Sequence, residues 1–248
     1  MNPAAVLAVS AALIAFFAMV ELRDARFRAS WSSDRTRLWR NLGFLVANIA
    51  TMAVLNAVSH ALTAHVPRFI EWRSTPAELT CCFLLAELVN WVSHYAKHRH
   101  PWLWTFHTQH HVEEHYSINL TLHTHGLEVV FTGAVMVALL TLAGFSRFAV
   151  DVFSLVYFGT NLYKHCSWRA SLGPLDYLIV SPAYHRLHHA KDHDGNFGSV
   201  LTVFDVLFRT ATFPSSPEAT NDAFARKLGV TEAAPFGFVA EITLPFRR

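Results

Sequence analysis

Histidine is the residue type whose number and spacing first suggest chemistry. The chain carries 16 histidines, and nine of them fall between His94 and His125. Three boxes stand out: His94-Tyr95-Ala96-Lys97-His98, His107-Thr108-Gln109-His110-His111 and His185-Arg186-Leu187-His188-His189. On a helix, residues at i, i+3 and i+4 share a face with Cβ atoms about 5–6 Å apart, so each box aims two or three imidazoles at one point. Imidazole suits Fe, Zn, Cu and Ni. Eight imidazoles on three segments exceed what one ion takes, and two metals in a nitrogen-rich site is the simplest arithmetic. One H-x-x-x-H alone reads as a solvated or core histidine. Two H-x-x-H-H repeats beside it change that reading, because unmetallated imidazoles packed so closely would repel on protonation and leave buried donors unsatisfied.

Around the boxes, Glu87, Asn90, Trp91 and His94 continue one helical face, which makes Glu87 a candidate acceptor for a ligand N–H; its other reading is a helix-packing carboxylate. Cys81, Cys82 and Cys166 form neither a disulfide framework nor a C-x-x-C metal site. The chain contains no G-x-S-x-G, no H-E-x-x-H, no haem or iron–sulfur cysteine pattern and no dinucleotide glycine fingerprint. Any redox chemistry at the boxes therefore draws its electrons from a separate protein.

The elements that must position these residues are written in the apolar segments. Of 248 residues 52% are apolar and 15% charged, against roughly 25% charged in a soluble domain. Lys and Arg number 20 against 18 Asp and Glu, a balance that argues against nucleic acid as a partner. Ala4 to Val20 is an uncharged apolar stretch, read as a membrane span rather than a cleaved signal because the arginines follow it. Leu42 to Leu62 is a second expected span and Ala77 to Val92, with Glu78 and Glu87, a third. Val129 to Tyr163 reads as a helical hairpin broken at Ala143-Gly144-Phe145-Ser146-Arg147, crossing or dipping in and returning, with both ends on one side. Arg23, Arg26, Arg28, Arg35, Arg37 and Arg40 separate the first two spans, whereas Thr63 to Pro76 holds only Arg68 and Arg73. By the positive-inside rule the first loop is cytoplasmic, the N-terminus outside, and both histidine-rich regions cytoplasmic. The expected fold is thus all-α: an integral-membrane bundle of about four spans or hairpin segments, with a histidine-rich helical cap. The expected division is 1–76, two spans and a basic loop, and 77–248, a catalytic domain whose tail from Pro214 is a packed cap or loop.

At these residues a resemblance appears. Glu87 to Glu128, together with Pro182 to Thr210, resembles the fatty acid hydroxylase and sterol desaturase superfamily of integral-membrane non-haem di-iron enzymes. Further matches are Leu103-Trp104-Thr105-Phe106-His107, Leu172-Gly173-Pro174-Leu175-Asp176, Asn196-Phe197-Gly198 and Phe204-Asp205-Val206-Leu207-Phe208. The chain departs from the family pattern at Tyr95, in His123-Thr124-His125-Gly126-Leu127-Glu128, and at Phe204 and Val206, and no departure removes a box histidine. The resemblance implies His165 as a ninth ligand beside His94, His98, His107, His110, His111, His185, His188 and His189. It places Asn161 where relatives can carry histidine, and Asp205 and His125 as residues that support the ligands; His115, His123 and His193 lie off the ligand spacing. It implies two Fe²⁺ ions, which zinc can replace in purified protein because it binds more tightly, and O₂ as co-substrate. The implied reaction is hydroxylation of a lipid C–H bond (fatty acyl, sterol or related), with desaturation as the alternative, electrons coming from a ferredoxin, cytochrome or reductase. Two rival classes stay open: a membrane zinc hydrolase using Glu113 or Glu114 as base, and a metal-binding or transport protein.

Overall fold

A computed structural model describes residues 3–23, 35–65, 70–169, 172–230 and 237–246. The regular elements among these residues are helices, with no strand: α1 (Pro3–Leu22), α2 (Arg35–His65), α3 (Thr75–Arg99), α4 (Pro101–His111), α5 (Gly126–Leu142), α6 (Arg147–His165), α7 (Pro182–His188), α8 (Val203–Leu207), α9 (Pro217–Ala225) and α10 (Phe238–Thr243). Single 3₁₀ turns occupy Ile118–Leu122, Gly173–Tyr177 and Leu244–Phe246.

Every expected apolar segment is helical, and the hairpin breaks where its sequence says. Gly144 takes a positive φ of 73°, open to glycine at little cost, and the Ser146 hydroxyl caps α6 by accepting the Ala149 N–H at 3.3 Å. The turn is fastened to the start of α3: Ser146 N–H donates to Glu78 Oε1 at 2.5 Å, and Trp72 stacks on Phe145 with centroids 4.9 Å apart. Cys82 and Ala86 of α3 then pack with Leu140, Phe145, Ala149 and Phe153 of the hairpin in one buried cluster. By length and composition one described stretch, Ala4–Leu22, suffices to cross a membrane; Trp39–Leu55 and Gly126–Leu142 are apolar but shorter. α3 falls short of the apolar span expected of it because it carries Glu78, Glu87 and Asn90, all buried inside the fold. Arg26, Arg28 and Arg68, part of the charge asymmetry, lie outside the described residues. Arg40, counted with them, is buried in α2 and pairs with Glu113 and Glu241.

α1 lies along α6, where Phe17 joins Leu162, Tyr163 and Cys166. Glu21 at its end accepts the N–H groups of Ile118 and Ser167, each at 3.0 Å. α2 packs on α5 closely enough that a Cβ at Gly133 would stand 2.5 Å from Leu55. α3 ends at His100, whose extended backbone (φ −108°, ψ 116°) is what a following proline favours, and Pro101 opens α4. The hairpin turn thus sits at one end of the bundle, and the end of α3, α4, the start of α5 and the end of α6 gather at the other. The described part of the tail carries two short helices, α9 and α10, and is packed on the domain: Arg186 donates to Ala223 O and Phe224 O, and Phe238 meets Phe44.

Candidate metal centre

All nine histidines meet at that second end. His94 and His98 come from α3, His107, His110 and His111 from α4, His165 from the last turn of α6, His185 and His188 from α7, and His189 from its C-cap. They fall into two groups, His94, His98, His107, His111 and His188, and His110, His165, His185 and His189; in each, one nitrogen per residue lies within 4.8 Å of the others. The groups adjoin, with the His111 and His189 rings 4.4 Å apart and the His110 and His189 rings 4.7 Å apart.

Hydrogen bonds fix which nitrogen faces inward. A carbonyl only accepts, so a ring nitrogen beside one carries the proton and leaves the other with a lone pair. His94 Nδ1–H donates to Phe197 O at 2.8 Å, His188 Nδ1–H to Gly195 O at 2.8 Å, His110 Nδ1–H to His123 O at 3.2 Å and His165 Nδ1–H to Asn161 O at 2.9 Å. His107 Nδ1–H donates to the Glu128 carboxylate at 3.0 Å, which also takes Lys97 Nζ at 2.7 Å. Each of these five histidines therefore presents a bare Nε2 to the cluster.

Among the described residues, no group meets the lone pairs of the five-histidine group. The Nε2 atoms of His94, His98, His107, His111 and His188 are buried and make no hydrogen bond. In the other group the Nε2 atoms of His165 and His185 stand 3.0 Å apart, and those of His185 and His189 3.3 Å apart. Converging buried lone pairs are costly unless a cation sits between them, so the residues fit a pair of metal ions. Burial first, and the neighbouring imidazoles and lysines second, holds His94, His107, His111, His185, His188 and His189 well below the ordinary imidazole range. Burial, then Lys97, takes His98 down to about 3. The imidazoles are therefore neutral and free to coordinate at physiological pH. Burial likewise lowers the Lys164 amine, which donates to Ser199 O, to about 8.

The expected supporting residues do different things. Asp205 does not touch an imidazole; it accepts five donors, from Trp91 Nε1, Tyr184 OH, Thr210 Oγ1 and the Phe197 and Gly198 N–H groups, and so sets the loop whose Phe197 carbonyl holds His94. Glu87, expected to accept from a ligand N–H, instead accepts the Val200 and Leu201 N–H groups at 2.9 Å each, because the loop after box three reaches it first. Asn161 supports His165 through its backbone carbonyl, and its side chain donates to Tyr157 O. His125 caps α5 with Nδ1, which accepts the Leu127 N–H, and donates from Nε2 to Ile242 O; it stands outside both groups. Glu113 pairs with Arg40, and Glu114 with Lys191 at the surface, so neither faces the imidazoles as a hydrolytic base would.

Sequence reasoning missed four supports. Glu128 was visible only as the end of a motif, the Gly195 and Phe197 carbonyls carry no side-chain signal, and Glu241 binds His123 Nε2 at 2.8 Å across 118 residues of chain.

A helical bundle that gathers two adjoining sets of buried imidazoles at one end defines a histidine-cluster protein able to hold metal. The family model for fatty acid hydroxylase matches residues 79–210, a span holding all nine histidines, and the chain belongs to that family. It is 28% identical over 200 residues to ornithine lipid hydroxylase OlsE of Rhizobium tropici, covering 79% of this chain and 59% of that protein. It is 29% identical over 112 residues to alkylglycerol monooxygenase of Homo sapiens, covering 44% and 24%. It is 26% identical over 221 residues to very-long-chain aldehyde decarbonylase GL1-6 of Oryza sativa subsp. japonica, covering 81% and 32%. The chain thus spans less than two thirds of these curated relatives. No solved structure matches it.

Proposed function

We propose that this chain is a multi-pass membrane oxidoreductase that hydroxylates a C–H bond of a membrane lipid with O₂, using two iron ions held by His94, His98, His107, His110, His111, His165, His185, His188 and His189. The observation that carries the reading is the set of five buried, partnerless Nε2 atoms beside a second set of four converging imidazoles. Two bound ferrous ions would supply electrons to O₂ for attack on an unactivated C–H bond. The protein's own part is to keep every ligand imidazole in one tautomer, to exclude water by burial, and to hold the ligand set neutral. The activities for which the relatives are named, hydroxylation of ornithine lipid and oxygenation of alkylglycerol, support a lipid substrate.

In this reading residues 77–248 form the catalytic part, α1 and the longer apolar helices embed it, and the histidine end faces the cytoplasm, where a ferredoxin, cytochrome or reductase delivers electrons. Reporter fusions at Arg248 and in the 63–76 loop test the topology and should report opposite sides. Purified protein reconstituted with iron, reductant and donor, given lipid under ¹⁸O₂, tests the chemistry. Labelled alcohol supports hydroxylation, an unlabelled alkene formed with O₂ consumption marks desaturation, and product formed without O₂ overturns the reading.

A further inference from the structure

Beyond the histidine end, the fold exposes apolar side chains on two short elements that belong to no expected span. The Gly173–Tyr177 turn and α8 lie side by side: Ile179 and Leu201 form an isolated bridge, Thr202 N–H donates to Leu178 O at 3.0 Å, and the Thr202 hydroxyl donates to Tyr177 O at 2.6 Å. Together they turn Leu175, Tyr177, Leu178, Val206, Leu207 and Phe208 outward, with Leu207 65% exposed. An apolar surface of this kind marks an interaction site. Its level in the molecule says what covers it. In the last turn of the long apolar helix α1, Glu21 accepts the Ser167 N–H; Leu172 packs on the cluster of Phe17 and Leu162, and the next residue opens the turn. On the other side Phe208 stacks on Trp91 at 4.4 Å, one residue before the exposed Val92 of α3. The apolar surface thus continues the outer faces of α1 and α3 at the point where they reach the histidine end. Trp168 and Tyr177, aromatic residues with a polar handle, are exposed there. The charges complete the pattern. Asp176 accepts the Leu172 N–H and Asp205 is buried among its five donors, leaving Arg169 and Arg209 as the exposed charges of the described stretches 168–169, 172–179 and 201–209.

We infer that Gly173–Tyr177 and α8 form a shelf that lies in the headgroup–acyl boundary of an anionic bilayer, Leu178 and Leu207 dipping into the acyl region and Arg169 and Arg209 meeting lipid phosphates. This rests on the membrane reading above. Because Asp205 of α8 also fixes the loop that holds His94, the shelf joins the lipid surface to the ligand set by one hydrogen-bond step on each side of Phe197. The test uses the full chain in vesicles of phosphatidylcholine and phosphatidylglycerol, with Cys81→Ser as background. A single environment-sensitive fluorophore is placed at Leu207→Cys, and in separate proteins at Leu178→Cys, at Leu7→Cys in α1 and at the exposed Asp192→Cys. The shelf predicts that both shelf positions shift to the blue and lose most of their fluorescence to a lipid carrying a nitroxide near its headgroup, while Asp192→Cys does neither. Aqueous emission at both shelf positions with Leu7→Cys in lipid overturns the shelf and leaves the membrane reading standing. Aqueous emission at Leu7→Cys as well removes the membrane reading itself. Leu178→Cys decides the matter should Leu207→Cys fail to fold.

Discussion

The two histidine groups share boxes two and three, box one serving only the first and His165 only the second, and they are not held alike. In the five-histidine group His94, His107 and His188 each have Nδ1 tied, one of them to a carboxylate that is itself paired with Lys97. In the four-histidine group His110 and His165 are tied to neutral carbonyls, and the Nδ1 atoms of His185 and His189 are buried without a partner. A carboxylate behind an imidazole raises its basicity and stiffens its orientation. The first group is therefore the stiffer, more basic ligand set, and the second the more adaptable. Inequivalence of this sort arises from what stands behind the ligands, since the ligand type is the same throughout.

The largest effect should come from acid, which acts on both groups at once. Burial holds the folded-state imidazoles below their ordinary value of 6.5, so the fold's advantage is complete above about 6.5 and is lost as pH falls; for His98 the window runs from 6.5 down to about 3. Chelator-stripped protein should lose about 1.4 kcal/mol per pH unit for each imidazole that only the unfolded chain protonates. Denaturant melts across that range check this, and a stability that rises on acidification would contradict it. Next, His188→Ala and His189→Ala should each reduce turnover more than about 100-fold, beyond the loss seen when only a supporting residue is changed. Metal analysis should show each variant losing one group's share while keeping the other's; loss of both ions from either variant would mean that the groups are one unit. His65→Ala, exposed at the end of α2, should change neither metal nor turnover.

Removing the carboxylate sharpens the comparison. Glu128→Gln keeps the shape and a weaker acceptor for His107, and should cost about 10–100-fold in metal affinity at the five-histidine group alone, measured by competition with a chelator. The smallest effect is expected from Glu241→Gln, which acts on the four-histidine group at two removes: Glu241 holds the His123 ring, and only the His123 carbonyl reaches His110. A loss under about 10-fold is expected there. A Glu241→Gln variant that empties its group as fully as Glu128→Gln empties the other would make the two equally supported, and the contrast would fall.

The sequence by itself determined the helices, the hairpin break and the eight imidazoles of the boxes, because these follow from local rules. Gly144 and Ser146 mark a turn between two apolar runs, Pro101 forces a corner after box one, and the i, i+3, i+4 spacing puts histidines on one face whatever surrounds them. The resemblance added His165, the one member outside the boxes. Only the tertiary structure decided how those imidazoles divide, since His111 and His110 are neighbours in one box yet belong to different groups. Their division depends on how α4 is rotated against α3, α6 and α7, which no spacing within α4 records. The supports were equally hidden. Glu87 reads as a ligand's acceptor on its helical face but is taken by Val200 and Leu201, and Glu241 reaches His123 across 118 residues. A backbone carbonyl such as that of Gly195 or Phe197 is present at every residue and becomes an acceptor for a particular imidazole only when the chain has folded around it.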